Sequence, residues 1–271
     1  MYGAQRYAKY YSNISAIVGD GLDAEVASKA VRGISLSGPG STAEETIGVR
    51  LALPWILSQL GTRSVIDAPV GDFGYMRSVL RASATPRGIR YVGLDIVPPL
   101  IAALEAAFGT GRGRERAHLA TSTRSPAADR AAPAPAFADK LHHLSFHTFD
   151  LARQYLWPAD LVVVRDVLFH FEPSRVAEVL DRLGQSGCGH ALLTTFPTRN
   201  NQRKKIRPGL GFTTFMPWNL EDAPFGLPPP LLAIGRDGSD TGRVMGLWPC
   251  ASLHPRREVI GWGTGTWHFA E

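Results

Sequence analysis

The chain has 271 residues, 44% hydrophobic and 20% charged, enough to bury a full core as one large domain or one domain with additions. Its formal net charge of +5 comes from scattered or loop-borne basic residues, which argues against a nucleic-acid partner. No apolar run approaches the roughly 18 residues needed to span a membrane, and the N-terminus lacks the apolar core of a secretion signal.

Cys188 and Cys250 make neither a metal spacing nor a disulfide framework, a usage that suits a reducing, cytoplasmic setting. Residues 1–22 carry little periodic signal. Asp23 is placed to cap a short helix, A-E-V-A-S-K-A-V, that ends before Gly33. Gly38-Pro39-Gly40 demands a sharp turn. Ser41 or Thr42 then caps a helix through Gln59, with Glu44 and Glu45 in its first turn and a kink expected at Pro54.

Ser64 to Asp67 reads as a short buried strand ending in an acid. Gly71 and Gly74 punctuate the turn that follows, and a helix is expected from Asp72 or Phe73. A strand passing through a glycine turn into a helix N-terminus is how open α/β folds hold a nucleotide-like cofactor. Residues 90–96, R-Y-V-G-L-D-I, form a second strand. Its terminal acid, Asp95, lies a little over 20 residues beyond the turn, where a ribose-binding carboxylate is expected. That spacing fits a nicotinamide dinucleotide and S-adenosylmethionine (SAM) alike. A dinucleotide wants G-x-G-x-x-G, yet Ala68 or Pro69 fills the first glycine position. Asp72 at the helix start would repel a pyrophosphate but could accept hydrogen bonds from an ammonium group. SAM is therefore the favoured cofactor, and an NAD(P)-dependent oxidoreductase is the alternative.

P-P-L-I-A-A-L-E-A-A-F follows as a helix with proline in its first turn. Residues 109–139, rich in Gly, Pro, Ala and Arg, read as a disordered surface insertion that the fold can do without. L-S-F-H-T-F-D-L is a third strand ending at Asp150. Its neighbourhood holds His142, His143 and His147, but His143 and His147 lie too far apart along a strand to chelate one ion, so no metal is expected. A-D-L-V-V-V-R-D is a fourth strand of the kind buried on both faces, followed by a helix around S-R-V-A-E-V-L-D-R-L and a fifth strand, H-A-L-L-T-T-F. Strands alternating with helices over 63–196 predict an α/β fold with a Rossmann-like doubly wound sheet.

Arg165 and Asp166 fall at the carboxyl edge of the fourth strand, where such sheets place ligands. If a helical turn begins near Asp166, the side chains of Asp166 and His170 share one face. A carboxylate beside an imidazole makes a general base suited to a hydroxyl. The other reading makes Asp166 a helix cap and His170 a packed core residue, with Arg165 pairing to Asp166 or orienting an acidic group. Residues 197–230 read as a lid or substrate loop with exposed aromatics (Phe212, Phe215, Trp218, Phe225) able to stack on sugar rings. Its basic run, R-N-N-Q-R-K-K-I-R, is either an anion site or a solvated face. Strands near Leu231–Ile234 and Val244–Trp248 should close the sheet, with a further strand or hairpin at 258–269. The expected division is an N-terminal helical extension over 1–62 and a SAM-binding domain over 63–271.

With D-A-P-V-G-D-F-G-Y-M, Y-V-G-L-D-I-V-P-P-L-I, A-D-L-V-V-V-R-D-V-L-F-H-F and L-L-T-T-F-P-T-R-N in this order, the chain resembles a class I SAM-dependent methyltransferase. More narrowly it resembles a group whose first motif reads D-A-P-C-G-D-F-x-W-M, over residues 33–248 apart from the insertion. The resemblance implies Asp67, Gly71 and Asp72 around the methionine part of SAM, Asp95 at the ribose and Asp150 at the adenine amino group. Phe73 or Ile96 would pack on the cofactor, with Arg165 close by. The group's association with glycan-modifying genes implies a sugar or glycan hydroxyl, or another small molecule, as acceptor. Phe215, Trp218, Asn219 and Phe225 would contact it. Val70 stands where the group has cysteine, so a thiol there is not essential. F-T-T-F-M-P-W-N-L lacks the arginine of G-x-W-R-P-x-N-L, which leaves the acceptor open. N-methylation of a small molecule or protein, and a non-catalytic SAM-binding protein, stand as alternatives.

Overall fold

The computed structural model describes residues 37, 39–83, 88–110, 143–201, 215–235 and 242–255. The expected helix after Asp23, the insertion beyond Thr110, His142, the basic run beyond Asn201, Phe212 and the segment 258–269 lie outside the described residues.

Among the described residues there are seven strands: β1 (Ser64–Asp67), β2 (Arg90–Asp95), β3 (His143–Thr148), β4 (Leu161–Val164), β5 (His190–Thr195), β6 (Leu232–Ile234) and β7 (Val244–Pro249). They form one sheet in the order β3-β2-β1-β4-β5-β7-β6. β1, β2 and β3 run parallel, as do β4 and β5, while β7 is antiparallel to both β5 and β6. This is the Rossmann-like doubly wound α/β fold that the sequence implied. The strand pattern explains it. Every residue of β1 (S-V-I-D) and β4 (L-V-V-V) is buried, as strands covered on both faces must be. β3 instead buries Leu144 and Phe146 and leaves His143 and His147 exposed.

Among the described residues four α-helices accompany the strands: α1 (Ile47–Gln59), α2 (Gly74–Ala82), α3 (Pro98–Phe108) and α4 (Pro173–Gln185). α3 and α4 each open with proline, whose missing N–H would have no helical partner at that position. α4 buries Val176, Val179, Leu180 and Leu183, a stripe at helical spacing. α1 begins at Ile47, later than a cap at Ser41 or Thr42 would give, and continues through Pro54. It buries Val49, Leu53, Ile56 and Leu57 and exposes Ile47, Leu51 and Trp55.

The chain divides into two compact units, Met1–Ala43 with Arg50–Phe149, and Glu44–Val49 with Asp150–Glu271. The first holds β1–β3. Its aromatic core joins Phe73 to Tyr91, Phe108 and Phe146 at ring-centroid distances of 5.1, 5.4 and 5.2 Å. The second holds β4–β7 and α4, with Phe196, Trp218, Phe225 and Trp248 fully buried.

One expectation fails in the second unit. Cys188 and Cys250 are joined in a disulfide across 62 residues, with their Cα atoms 5.7 Å apart. The cause is strand register: His190 pairs with Pro249, so the residues just before β5 and just after β7 meet. No local spacing announces this. It removes the premise on which a reducing compartment was expected.

Candidate functional site

In the first unit, the carboxyl ends of β1 and β2 carry the expected acids. Asp67 is fully buried. The Tyr75 hydroxyl donates to its Oδ1 (3.2 Å) and the Tyr91 hydroxyl to its Oδ2 (2.7 Å). Burial, and then the Asp67 charge, hold the Tyr91 hydroxyl well above its usual pKa, so it stays a donor. Asp67 thus fastens β1 to β2 and α2. The resemblance implied a place for this carboxylate at the methionine part of SAM; the structure shows it enclosed between two tyrosine hydroxyls.

The turn after β1 is built as a cradle of backbone. Gly71 sits at φ +55°, and a Cβ there would lie 2.5 Å from Ser37 Oγ. Its N–H donates to Asp95 Oδ2 at 3.2 Å. Asp72 N–H donates to Ser37 Oγ at 2.6 Å, and Asp72 Oδ1 accepts from Gly74 N–H at 3.0 Å. Ser37 therefore pins the turn, a role that sequence reading missed because S-G-P-G-S announces only a bend. Phe73, at φ +60°, turns into the aromatic core and is 1% exposed. It does not offer a face to a cofactor, which corrects its expected role. Ile96 is half-buried.

Asp95 is the centre of this cluster. Besides Gly71, its carboxylate accepts the Val97 N–H at 3.1 Å. Burial pushes its pKa up to about 6, against the lowering effect of the Val97, Gly71 and Ile96 N–H groups. It is a carboxylate held by the N–H groups of the glycine turn and of Val97.

The second unit carries the remaining candidates. Asp150 opens a turn after β3. Its Oδ1 accepts from Ala152 N–H (2.9 Å), its own N–H donates to Gln154 Oε1 (2.7 Å), and Arg153 Nε lies 3.6 Å from Oδ2. Asp166, just past β4, adopts φ +56°, with its N–H donating to Thr194 Oγ1 at 2.9 Å. Its Oδ2 lies 3.0 Å from Arg165 Nη1 and 2.7 Å from Arg243 Nη1. Arg243 also pairs with Glu45 Oε2 at 3.0 Å, and Arg165 Nη2 donates to the Glu45 carbonyl at 3.2 Å. Both guanidiniums are nearly enclosed, at 4% and 9% exposure. Burial raises the Asp166 pKa, and the charges of Arg165 and Arg243 oppose it. Arg243 and Glu45 escaped sequence reading because 77 and 120 residues separate them from Asp166 and Arg165.

The helical turn that would bring Asp166 and His170 onto one face does not start at Asp166. It is a 3-10 turn over Leu168–His170. Among the described residues no hydrogen bond joins the two side chains; Asp166 is engaged with arginines instead. His170 Nδ1 is enclosed without a hydrogen-bond partner among the described residues, and desolvation lowers the imidazole pKa. The ring stands 4.4 Å from that of Phe169. Burial thus favours the neutral imidazole.

The expected acceptor residues divide. Phe215 is 51% exposed, but Trp218 and Phe225 are 2% and 0% exposed and pack edge to face at 5.7 Å. Trp218 Nε1 donates to the Phe171 carbonyl at 3.0 Å. Both are core residues, not a stacking surface. The Asn219 side chain is committed internally: Nδ2 donates to the Pro197 and Arg199 carbonyls, each at 3.2 Å, and Oδ1 accepts from Glu221 N–H at 3.1 Å. It shapes the loop and is not available to an acceptor. Among the described residues no group of three His, Cys, Asp or Glu could hold a metal, and no helix is long and apolar enough to cross a membrane.

No family model matches the chain, and no curated protein does. The solved structures that the chain is similar to include methyltransferases. The mitomycin 7-O-methyltransferase MmcR is 14% identical, with 89% of this chain and 60% of that one aligned at a TM-score of 0.49. The apo S-adenosylmethionine-dependent methyltransferase SibL is 15% identical, covering 91% and 62%, TM-score 0.46. The methyltransferase domain of bacterial CtHen1 is 16% identical, covering 76% and 99%, TM-score 0.45. The chain thus spans about 60% of the length of the first two of these proteins.

Proposed function

We propose that the chain is a SAM-dependent methyltransferase acting on a hydroxyl group. The observation that carries this reading is the Asp95–Gly71 pairing. An acid at the end of β2 meets the N–H of a glycine turn at the end of β1, in a doubly wound sheet. Two ribose hydroxyls can each donate to one oxygen of such a carboxylate. The residues assigned to SAM are Gly71, Asp72, Asp95 and Ile96, with Asp150 for the adenine amino group by resemblance alone. SAM supplies a methyl group already activated by a sulfonium.

The protein's own share is to align the acceptor oxygen and to take its proton. His170 is assigned the proton through Nε2. Asp166 is assigned a positioning role: held by Arg165 and Arg243, it fixes the backbone that leads into the His170 turn. Residues 197–230 form the acceptor-side loop in this reading, with 1–62 as an N-terminal extension. A sugar hydroxyl rests on the resemblance. Of the aromatics enlisted to stack on sugar rings, Phe215 alone is exposed among the described residues.

An acceptor screen by mass spectrometry tests the proposal. A product heavier by one methylene, formed with loss of SAM, supports it. A methylated nitrogen would replace the hydroxyl by an amine, and NADH-dependent reduction with no SAM turnover would replace the reaction altogether.

A further inference from the structure

His170 belongs to a cluster of rings that the mechanism above does not use. Phe169 stands 4.4 Å from His170, 4.9 Å from Phe215 and 5.8 Å from Phe196, and Phe196 meets Phe215 at 5.6 Å with the planes at 90°. Phe196 and Phe169 are buried, at 1% and 7% exposure, while Phe215 keeps half its surface open. Met216 N–H donates to the Phe169 carbonyl at 2.8 Å, which ties the segment bearing Phe215 to the His170 turn. An exposed ring braced edge-on by two buried ones is a rigid apolar wall, and planar rings dock on such walls in offset or edge-to-face contact.

Resting on the methyltransferase reading, we infer that the acceptor is a planar aromatic ring carrying an acidic hydroxyl, seated against Phe215 and Phe169 with its oxygen toward His170 Nε2.

The proton chemistry of His170 agrees. Among the described residues its Nδ1 finds no acceptor to stabilise an imidazolium, and Asp166 is engaged with arginines, so this is a weak base. A phenolic hydroxyl, with a pKa of about 10, gives its proton to such a base with a modest deficit. An aliphatic hydroxyl is a far weaker acid than a phenol and needs a far stronger base. In the step, the ring O–H proton passes to Nε2 and the oxygen's electron pair forms the bond to the methyl carbon. The carbon–sulfur bond breaks with its pair retained by sulfur, and the proton leaves His170 for solvent.

The test is ligand binding to the full chain, read by saturation-transfer NMR and calorimetry, with 2-naphthol and methyl α-glucoside as probes. Wild-type protein should bind 2-naphthol in preference to the glucoside. Phe215→Ala should weaken naphthol binding roughly three- to tenfold, and Phe215→Leu, which keeps apolar bulk without a ring, should also weaken it. Thermal unfolding of both variants checks that they fold; at a half-exposed position both should. Failure of 2-naphthol to bind, equal binding by the Phe215 variants, or a preference for the glucoside would overturn the inference. SAM titrated into the same samples keeps the outcomes apart: loss of SAM binding with naphthol binding intact strikes at the methyltransferase reading and not at the aromatic site.

Discussion

The backbone N–H of Gly71 and the carboxylate of Asp95 meet at 3.2 Å across 24 residues of chain, joining the turn after β1 to the end of β2. Asp95 is 5% exposed, and its pKa of about 6 lies above its value in an unfolded chain. The native state therefore holds the proton more tightly. This group's contribution to stability is present below about pH 4 and is lost as pH rises to about 6. The loss amounts to about 3 kcal/mol, from a shift of the carboxyl to about 6 at roughly 1.4 kcal/mol per unit. Urea unfolding of wild type and Asp95→Asn at pH 4.5 and pH 7.5 measures it. The wild type should lose stability relative to the variant on going to the higher pH, and a difference independent of pH would refute the assignment.

Arg243 holds two acids at once, Asp166 and Glu45. Arg243→Met leaves Asp166 with Arg165 alone, in a site that already raises its pKa. Removing one partner of an enclosed pair costs about 3 kcal/mol or more. Because the affected group is an acid whose proton becomes still harder to lose in the fold, the deficit should grow from pH 4 to pH 7. Chemical denaturation at the two pH values reads this directly, and a deficit that shrinks with rising pH would contradict it.

The strands and their order of succession were legible because they rest on short-range pattern: β-branched runs at β1 and β4, alternation at β3, proline at the starts of α3 and α4. Gly71 and Asp95 were legible for the same reason, a glycine turn and an acid at a set spacing. What escaped depends on which distant segments the fold brings together. Ser37 reaches Asp72, Arg243 and Glu45 enclose Asp166 and Arg165, and Cys188 meets Cys250 through the β5–β7 register. Trp218 and Phe225 were misread as exposed because a Pro- and Gly-rich composition marks a loop but does not say which of its aromatics turn inward. Asp166 and His170 were placed on one helical face, whereas the φ of +56° at Asp166 delays the turn to Leu168.

The Cys188–Cys250 disulfide closes a loop of 62 residues that contains β5, β6, β7 and the segment bearing Phe215. On chain-entropy grounds a loop of this length stabilises the fold by about 4 kcal/mol. Reduction with a thiol, or Cys250→Ser, should lower the unfolding midpoint in urea by a corresponding amount, with free-thiol titration rising from none to two on reduction. An unchanged midpoint after complete reduction would show that the clip contributes little.

The most direct measurement is calorimetric titration of SAM into wild type and Asp95→Ala at pH 7.5, where Asp95 in the wild type is ionised. Losing charge-assisted bonds to the ribose should weaken binding by about 1.5–3 kcal/mol, or roughly ten- to 150-fold. The account predicts saturable one-site binding by the wild type and that loss in the variant. No binding of SAM by well-folded wild-type protein would contradict it.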